Sequence, residues 1–201
     1  EKDALLARIA GHRHVRSISS LGNSRLGRPL HMVELTDTSV PDTGKKRVWV
    51  HTCVHPSETC GYFMAEGLLD FLVSGEPTAE LLLDRTIVNV VPMANPDGCF
   101  RGNYRTNADG VNLEEQWTQP YTSTVPEIVA QRSRIEQLMG TPAQPASNPI
   151  QVLLNLHASH GVSYPFHFQH TANARWNPVP NNTAVIPVVN AVEGQWIVRL
   201  K

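Results

Sequence analysis

His55 and Glu58 stand three residues apart in the tetrapeptide H-P-S-E, and His157 lies far downstream in L-H-A-S-H-G. Two imidazole nitrogens and one carboxylate oxygen form a donor set that suits zinc. Three protein ligands also leave a fourth position for water. A turn tightened by Pro56 lets His55 and Glu58 aim at a single ion. A third ligand from a distant part of the chain makes metal binding tie separate elements together. Each piece alone is a weak signal, because H-x-x-E recurs by chance and a lone His157 reads as a hydrogen-bonded structural histidine. Together the three residues point to one zinc ion.

Strands must position this trio. Arg47–Thr52 (R-V-W-V-H-T) reads as a buried strand leading into His55, and Val152–Leu156 reads as an interior strand running straight into His157. Thr86–Val91 is β-branched and continuous, the pattern of a strand buried on both faces. Pro29–Leu35 alternates like a further strand. Ser57 is placed to cap a helix over Thr59–Leu72, its hydroxyl accepting from an unpaired backbone N–H. Helical spacing also marks Asp3–Ile9, Ala79–Leu83 and Val125–Met139, with a closing helix over Ala184–Leu200. Leu21–Arg28, Val40–Gly44, Asn95–Gly98 and Thr141–Pro149 read as turns or loops. Strands alternating with helices imply an α/β fold, a mixed and mostly parallel sheet flanked by helices. Ligands of such sheets gather at the carboxyl ends of the strands, where His55 and His157 fall.

The 201 residues suffice for one domain with a single core. Lys and Arg number 17 against 18 Asp and Glu, a net charge of −1, and no basic stripe argues for a nucleic-acid partner. The longest apolar runs are too short to span a bilayer. Cys53, Cys60 and Cys99 make an odd count at strand-like and helix-like positions. They read as small buried hydrophobes rather than a disulfide framework, which leans toward a reducing, cytoplasmic setting.

Five ordered segments carry a resemblance. H-P-S-E-T at His55–Thr59 resembles the first zinc motif of the M14 metallocarboxypeptidases, especially the cytosolic type. Asn95–Gly98, with the following G-N-Y-R at Gly102–Arg105, is similar to two more segments of that family. G-V-N-L-E-E-Q-W at Gly110–Trp117 resembles its substrate-binding segment, and Leu156–Gly161 the region of the third ligand. Leu21–Pro29 resembles its entry loop. The resemblance implies a zinc carboxypeptidase-like fold, with His55, Glu58 and His157 as ligands and a peptide or small amide as substrate. It gives Arg105 the role of stabilising the oxyanion formed when water attacks a carbonyl, with Arg101 a weaker candidate.

The chain departs from the pattern at one point. Where the family carries Asn-Arg to grip a substrate's terminal carboxylate, this sequence has Glu114 and Glu115. Like charges about 4 Å apart repel by roughly 4 kcal/mol at an effective dielectric near 20. The pair is therefore expected to change which substrate end is accepted, unless both glutamates turn outward into solvent. The family's general-base glutamate falls beyond Lys201 on this resemblance, so the chain reads as the N-terminal part of a catalytic domain. Glu193 reads as solvated. Two other readings remain open, an amidase or deacylase on the same fold and a non-catalytic zinc-binding module.

Overall fold

A computed structural model of the chain describes residues 1–117, 125–141 and 143–158. At its centre lies Thr86–Val91 (β4), buried at every position as its unbroken β-branched run predicts. On one side β4 pairs in parallel with Lys46–Thr52 (β3), which pairs in parallel with Ile150–Leu156 (β5). On the other side it pairs antiparallel with Pro29–Leu35 (β2), itself antiparallel to Val15–Asn23 (β1). The five-stranded sheet is thus mixed, in the order β1-β2-β4-β3-β5.

Period-two alternation sends side chains to both faces of this sheet. Val33, Leu35, Val50, Val88 and Val90 pack on one face, beneath Lys2–Ile9 (α1), Thr59–Leu72 (α2) and Pro77–Arg85 (α3). The helices contribute Leu5, Ile9, Ala65, Leu69, Leu72 and Leu83 to that layer. Met32, Trp49 and Val91 face the other way and meet Leu138 of Pro126–Met139 (α5).

Several expectations are corrected. Leu21–Asn23 belongs to β1, so the loop shrinks to residues 24–28, where Ser24 Oγ accepts from the Arg28 amide at 3.0 Å. Asn95–Gly98 is not a free turn. It opens the helix Pro96–Arg101 (α4), with the Asn95 side chain accepting from the Gly98 amide at 3.0 Å and Pro96 in the first turn. Ser57 does not cap α2, because the N-cap position falls to Glu58, which makes no side-chain cap bond. Among the described residues β5 is an edge strand with Val152, Leu153 and Leu154 exposed, rather than an interior one. An apolar run is the same whether or not a neighbour covers it. Cys53 is buried and Cys99 half-buried, but Cys60 is exposed, and all three are free thiols. The predicted closing helix Ala184–Leu200, with its Glu193, lies outside the described residues.

A polar network is set into the second sheet face. Arg47 Nη1 donates to Glu34 Oε2 at 3.0 Å, and Asn89 Nδ2 donates to the same oxygen at 3.0 Å. Burial pushes the Glu34 carboxyl up, but the Asn89 bond and the Arg47 charge outweigh it and hold its pKa below the ordinary value. The stabilisation this provides is complete above pH 4.5 and is lost as pH falls through the depressed value. Removing one partner of a buried pair leaves the other charge uncompensated. Glu34→Gln is therefore expected to lower stability by about 3 kcal/mol near neutral pH in urea unfolding, with the gap to wild type narrowing in acid. An unchanged midpoint would count against the network's role.

Candidate metal centre

The parallel register sets Thr52 opposite Leu156, so β3 and β5 end side by side. The Thr52 carbonyl accepts from the Ala94 amide at 2.9 Å, and its hydroxyl donates to the Pro92 carbonyl at 2.8 Å. The chain then bends at Cys53, whose φ of 55° is a left-handed conformation that non-glycine residues adopt at some cost. Asn95 Nδ2 donates to the Val54 carbonyl at 3.2 Å, and the Ser57 amide donates to the Tyr104 carbonyl at 3.2 Å. Gly98 permits this packing, because a Cβ there would sit 2.5 Å from Pro56 Cγ and 2.6 Å from the Thr106 carbonyl oxygen.

The H-P-S-E turn and the end of β5 bring three side chains together. Glu58 Oε1 lies 2.8 Å from His55 Nδ1, and Glu58 Oε2 lies 2.7 Å from His157 Nδ1. The two rings are 4.9 Å apart, and one ligand atom from each residue lies within 4.8 Å of the others. His55 and Glu58 are buried, and His157 is half-buried. The Ala158 amide donates to Glu58 Oε2 at 2.9 Å. Burial pushes the Glu58 carboxyl up, but that amide and both histidines outweigh it and hold its pKa below the ordinary value.

Each ring also meets an acceptor on the side away from Glu58. His55 Nε2 lies 3.1 Å from Asn112 Oδ1, and His157 Nε2 lies 3.4 Å from Glu114 Oε2. Such an acceptor can hold the ring proton on Nε2 when a metal ion takes Nδ1 in place of its contact with Glu58. Two imidazole Nδ1 atoms and a carboxylate converging from separate elements fit a zinc ion.

The family model for zinc carboxypeptidases (peptidase M14) matches residues 3–193. The chain belongs to the zinc carboxypeptidase family. It is 37% identical over 129 residues to cytosolic carboxypeptidase 2 of Xenopus tropicalis, covering 63% of this chain and 13% of that protein. It is 31% identical over 140 residues to cytosolic carboxypeptidase 6 of Mus musculus, covering 69% of this chain and 25% of the relative. A metallo-carboxypeptidase structure from Burkholderia cenocepacia superposes with a TM-score of 0.71 at 31% identity, covering 81% of this chain and 41% of that one. The chain thus spans an eighth to a quarter of the length of those two curated relatives, and two-fifths of that solved chain.

Within this zinc carboxypeptidase fold the remaining motif residues have definite places. Asp97 is fully buried, accepting from Arg28 Nη1 at 2.7 Å and from the Leu26 amide at 2.8 Å. That joins the entry loop to the N-P-D-G segment. Arg105 is exposed, one residue beyond the Tyr104 carbonyl that holds the H-P-S-E turn. Arg101 donates to the Ala108 carbonyl at 2.8 Å. Glu114 is half-buried against His157, and Asn155 Nδ2 lies 3.1 Å from both of its oxygens. Burial opposes ionisation of Glu114, but His157 and Asn155 outweigh it and bring its pKa down to about 2. Glu115 is exposed and accepts from Asn112 Nδ2 at 2.7 Å.

Sequence reasoning overlooked Asn112, although it stands beside the acidic pair in G-V-N-L-E-E. His51 is buried, accepts from Trp49 Nε1 at 2.9 Å and stacks 5.3 Å from Trp117. Burial pushes its pKa down to about 4, so the ring is neutral near physiological pH. In a second grouping, His14, Asp37 and Glu80, both carboxylates already have protein partners. Glu80 is engaged by Arg13 at 2.6 Å and His14 at 3.0 Å, and Asp37 by the Ser39 hydroxyl at 2.6 Å.

Elemental analysis of the purified protein is expected to find one zinc per chain, lost in His55→Ala. Zinc retained at full stoichiometry in that variant would contradict the assignment.

Proposed function

We propose that this protein is a zinc-dependent hydrolase of amide bonds, a metallocarboxypeptidase with altered recognition of the substrate's end. The observation that carries this reading is the Glu58 carboxylate set between two histidine Nδ1 atoms. The chemistry an ion supplies in such a place is Lewis-acid polarisation of a carbonyl and acidification of water. His55, Glu58 and His157 hold the ion. Arg105, on the loop beside the H-P-S-E turn, stabilises the oxyanion. A loop position suits this role, because the guanidinium must reach a charge that develops only as the carbonyl is attacked.

The substrate end is set by charge. Glu114 and Glu115 stand where a carboxylate grip would need an arginine, and they place negative charge beside the centre. A free terminal carboxylate is repelled there, whereas an amidated end, an amine or a guanidinium is accepted. The same feature favours the second reading, an amidase acting on a small non-peptide amide. The names of the cytosolic relatives and the three free thiols support a cytoplasmic setting.

With paired peptides differing only in the terminus, the amidated or basic form is expected to show kcat/KM on the order of tenfold above the free acid. A clear preference for the free acid would overturn the altered recognition. Arg105→Ala is expected to reduce kcat by about a hundredfold with little change in KM, since its contact forms in the transition state. A loss confined to KM would remove Arg105 from the oxyanion role.

A further inference from the structure

We infer that Glu114 is a positioning residue, holding the His157 ring in the orientation and tautomer that offer Nδ1 to the metal. This inference rests on the metal-centre reading given above. The two histidines differ in what fixes them. The His55 side chain is 5% exposed, and His157 is 20% exposed, one residue past the end of a strand with open faces. Packing alone therefore constrains His157 less.

The contacts of Glu114 supply what packing does not. Asn155 and His157 are two residues apart at the end of β5, so an extended chain presents both to the same side. Glu114 meets both, with Asn155 Nδ2 at 3.1 Å from each oxygen and His157 Nε2 at 3.4 Å from Oε2. Its backbone is fixed as well. It lies in a short 3-10 helix, Leu113–Gln116, anchored by the fully buried Leu113, and its amide donates to Asn112 Oδ1 at 3.2 Å. Asn112 Oδ1 is also the atom facing His55 Nε2. One short segment therefore backs both histidines on the side away from Glu58.

The residue type matters because an ionised carboxylate can only accept a hydrogen bond. Beside Nε2 it holds the ring proton there when a metal takes Nδ1 in place of the 2.7 Å contact with Glu58. A glutamine amide can instead donate to Nε2, allowing the proton to sit on Nδ1, where it blocks coordination. Altering such an outer partner of a ligand histidine commonly weakens metal binding by about 10-fold to 100-fold.

The test is zinc affinity by competition with a chromophoric chelator in wild type, Glu114→Gln, Glu114→Ala and Glu114→Asp, with thermal melts of each metal-free protein. We expect zinc binding 10-fold to 100-fold weaker in the Gln and Ala variants, partial recovery in the Asp variant, and metal-free melts close to wild type. Equal zinc affinity in all four proteins would overturn the inference. Should the variants fail to fold, ¹⁵N NMR of zinc-loaded wild type decides, with zinc on Nδ1 and a proton on Nε2 of His157 supporting the role and zinc on Nε2 refuting it. Wild-type protein that binds no zinc would instead remove the metal-centre reading, a result distinct from equal zinc affinity across the four proteins.

Discussion

Glu58 places one oxygen 2.8 Å from His55 Nδ1 and the other 2.7 Å from His157 Nδ1, and the surrounding architecture exists to hold that arrangement. A buried carboxylate is costly unless its charge is met by donors or a cation. Here the Ala158 amide and the two rings meet it in part. A divalent ion among the same atoms would meet it more fully, which is what the proposed metal centre supplies. This is why Glu58, at the N-cap of α2, spends its side chain on the site and leaves its helix uncapped.

That constraint explains features that otherwise look unrelated. β3 and β5 must be parallel neighbours, because only then do their carboxyl ends deliver the two histidines to one place. The chain must bend sharply after Thr52, which accounts for the left-handed Cys53. Helix α2 must approach closely, which accounts for Gly61, where a Cβ would lie 3.0 Å from the Leu156 carbonyl oxygen. The segment 112–115 then backs the rings from the opposite side. Of its two glutamates, Glu114 lies against His157 and Glu115 is exposed.

Much of this was readable from residues alone. Thr86–Val91, Pro29–Leu35 and helix Thr59–Leu72 declared themselves because apolar periodicity there coincides with burial. The convergence of His55, Glu58 and His157 was legible because donor type, short spacing and strand ends all agreed. β1 was missed because S-I-S-S-L is polar and half-exposed, a strand specified by its partner β2 and not by its own pattern. The Asn95 cap was mistaken for a turn because Asn-Pro opens turns and helices alike, and only the Gly98 amide distinguishes them. Asn112 and the orientation of Glu114 were invisible for a deeper reason. Which atom faces a ring nitrogen depends on two distant segments meeting, and no local spacing encodes that.

Zinc K-edge absorption of the protein loaded with one equivalent of zinc tests the central claim most directly. The account predicts a first shell of nitrogen and oxygen only, at about 2.0–2.1 Å, with outer scattering from two imidazole rings. A sulfur shell near 2.3 Å, which would bring in Cys53 or Cys99, or a spectrum without imidazole scattering, would contradict it.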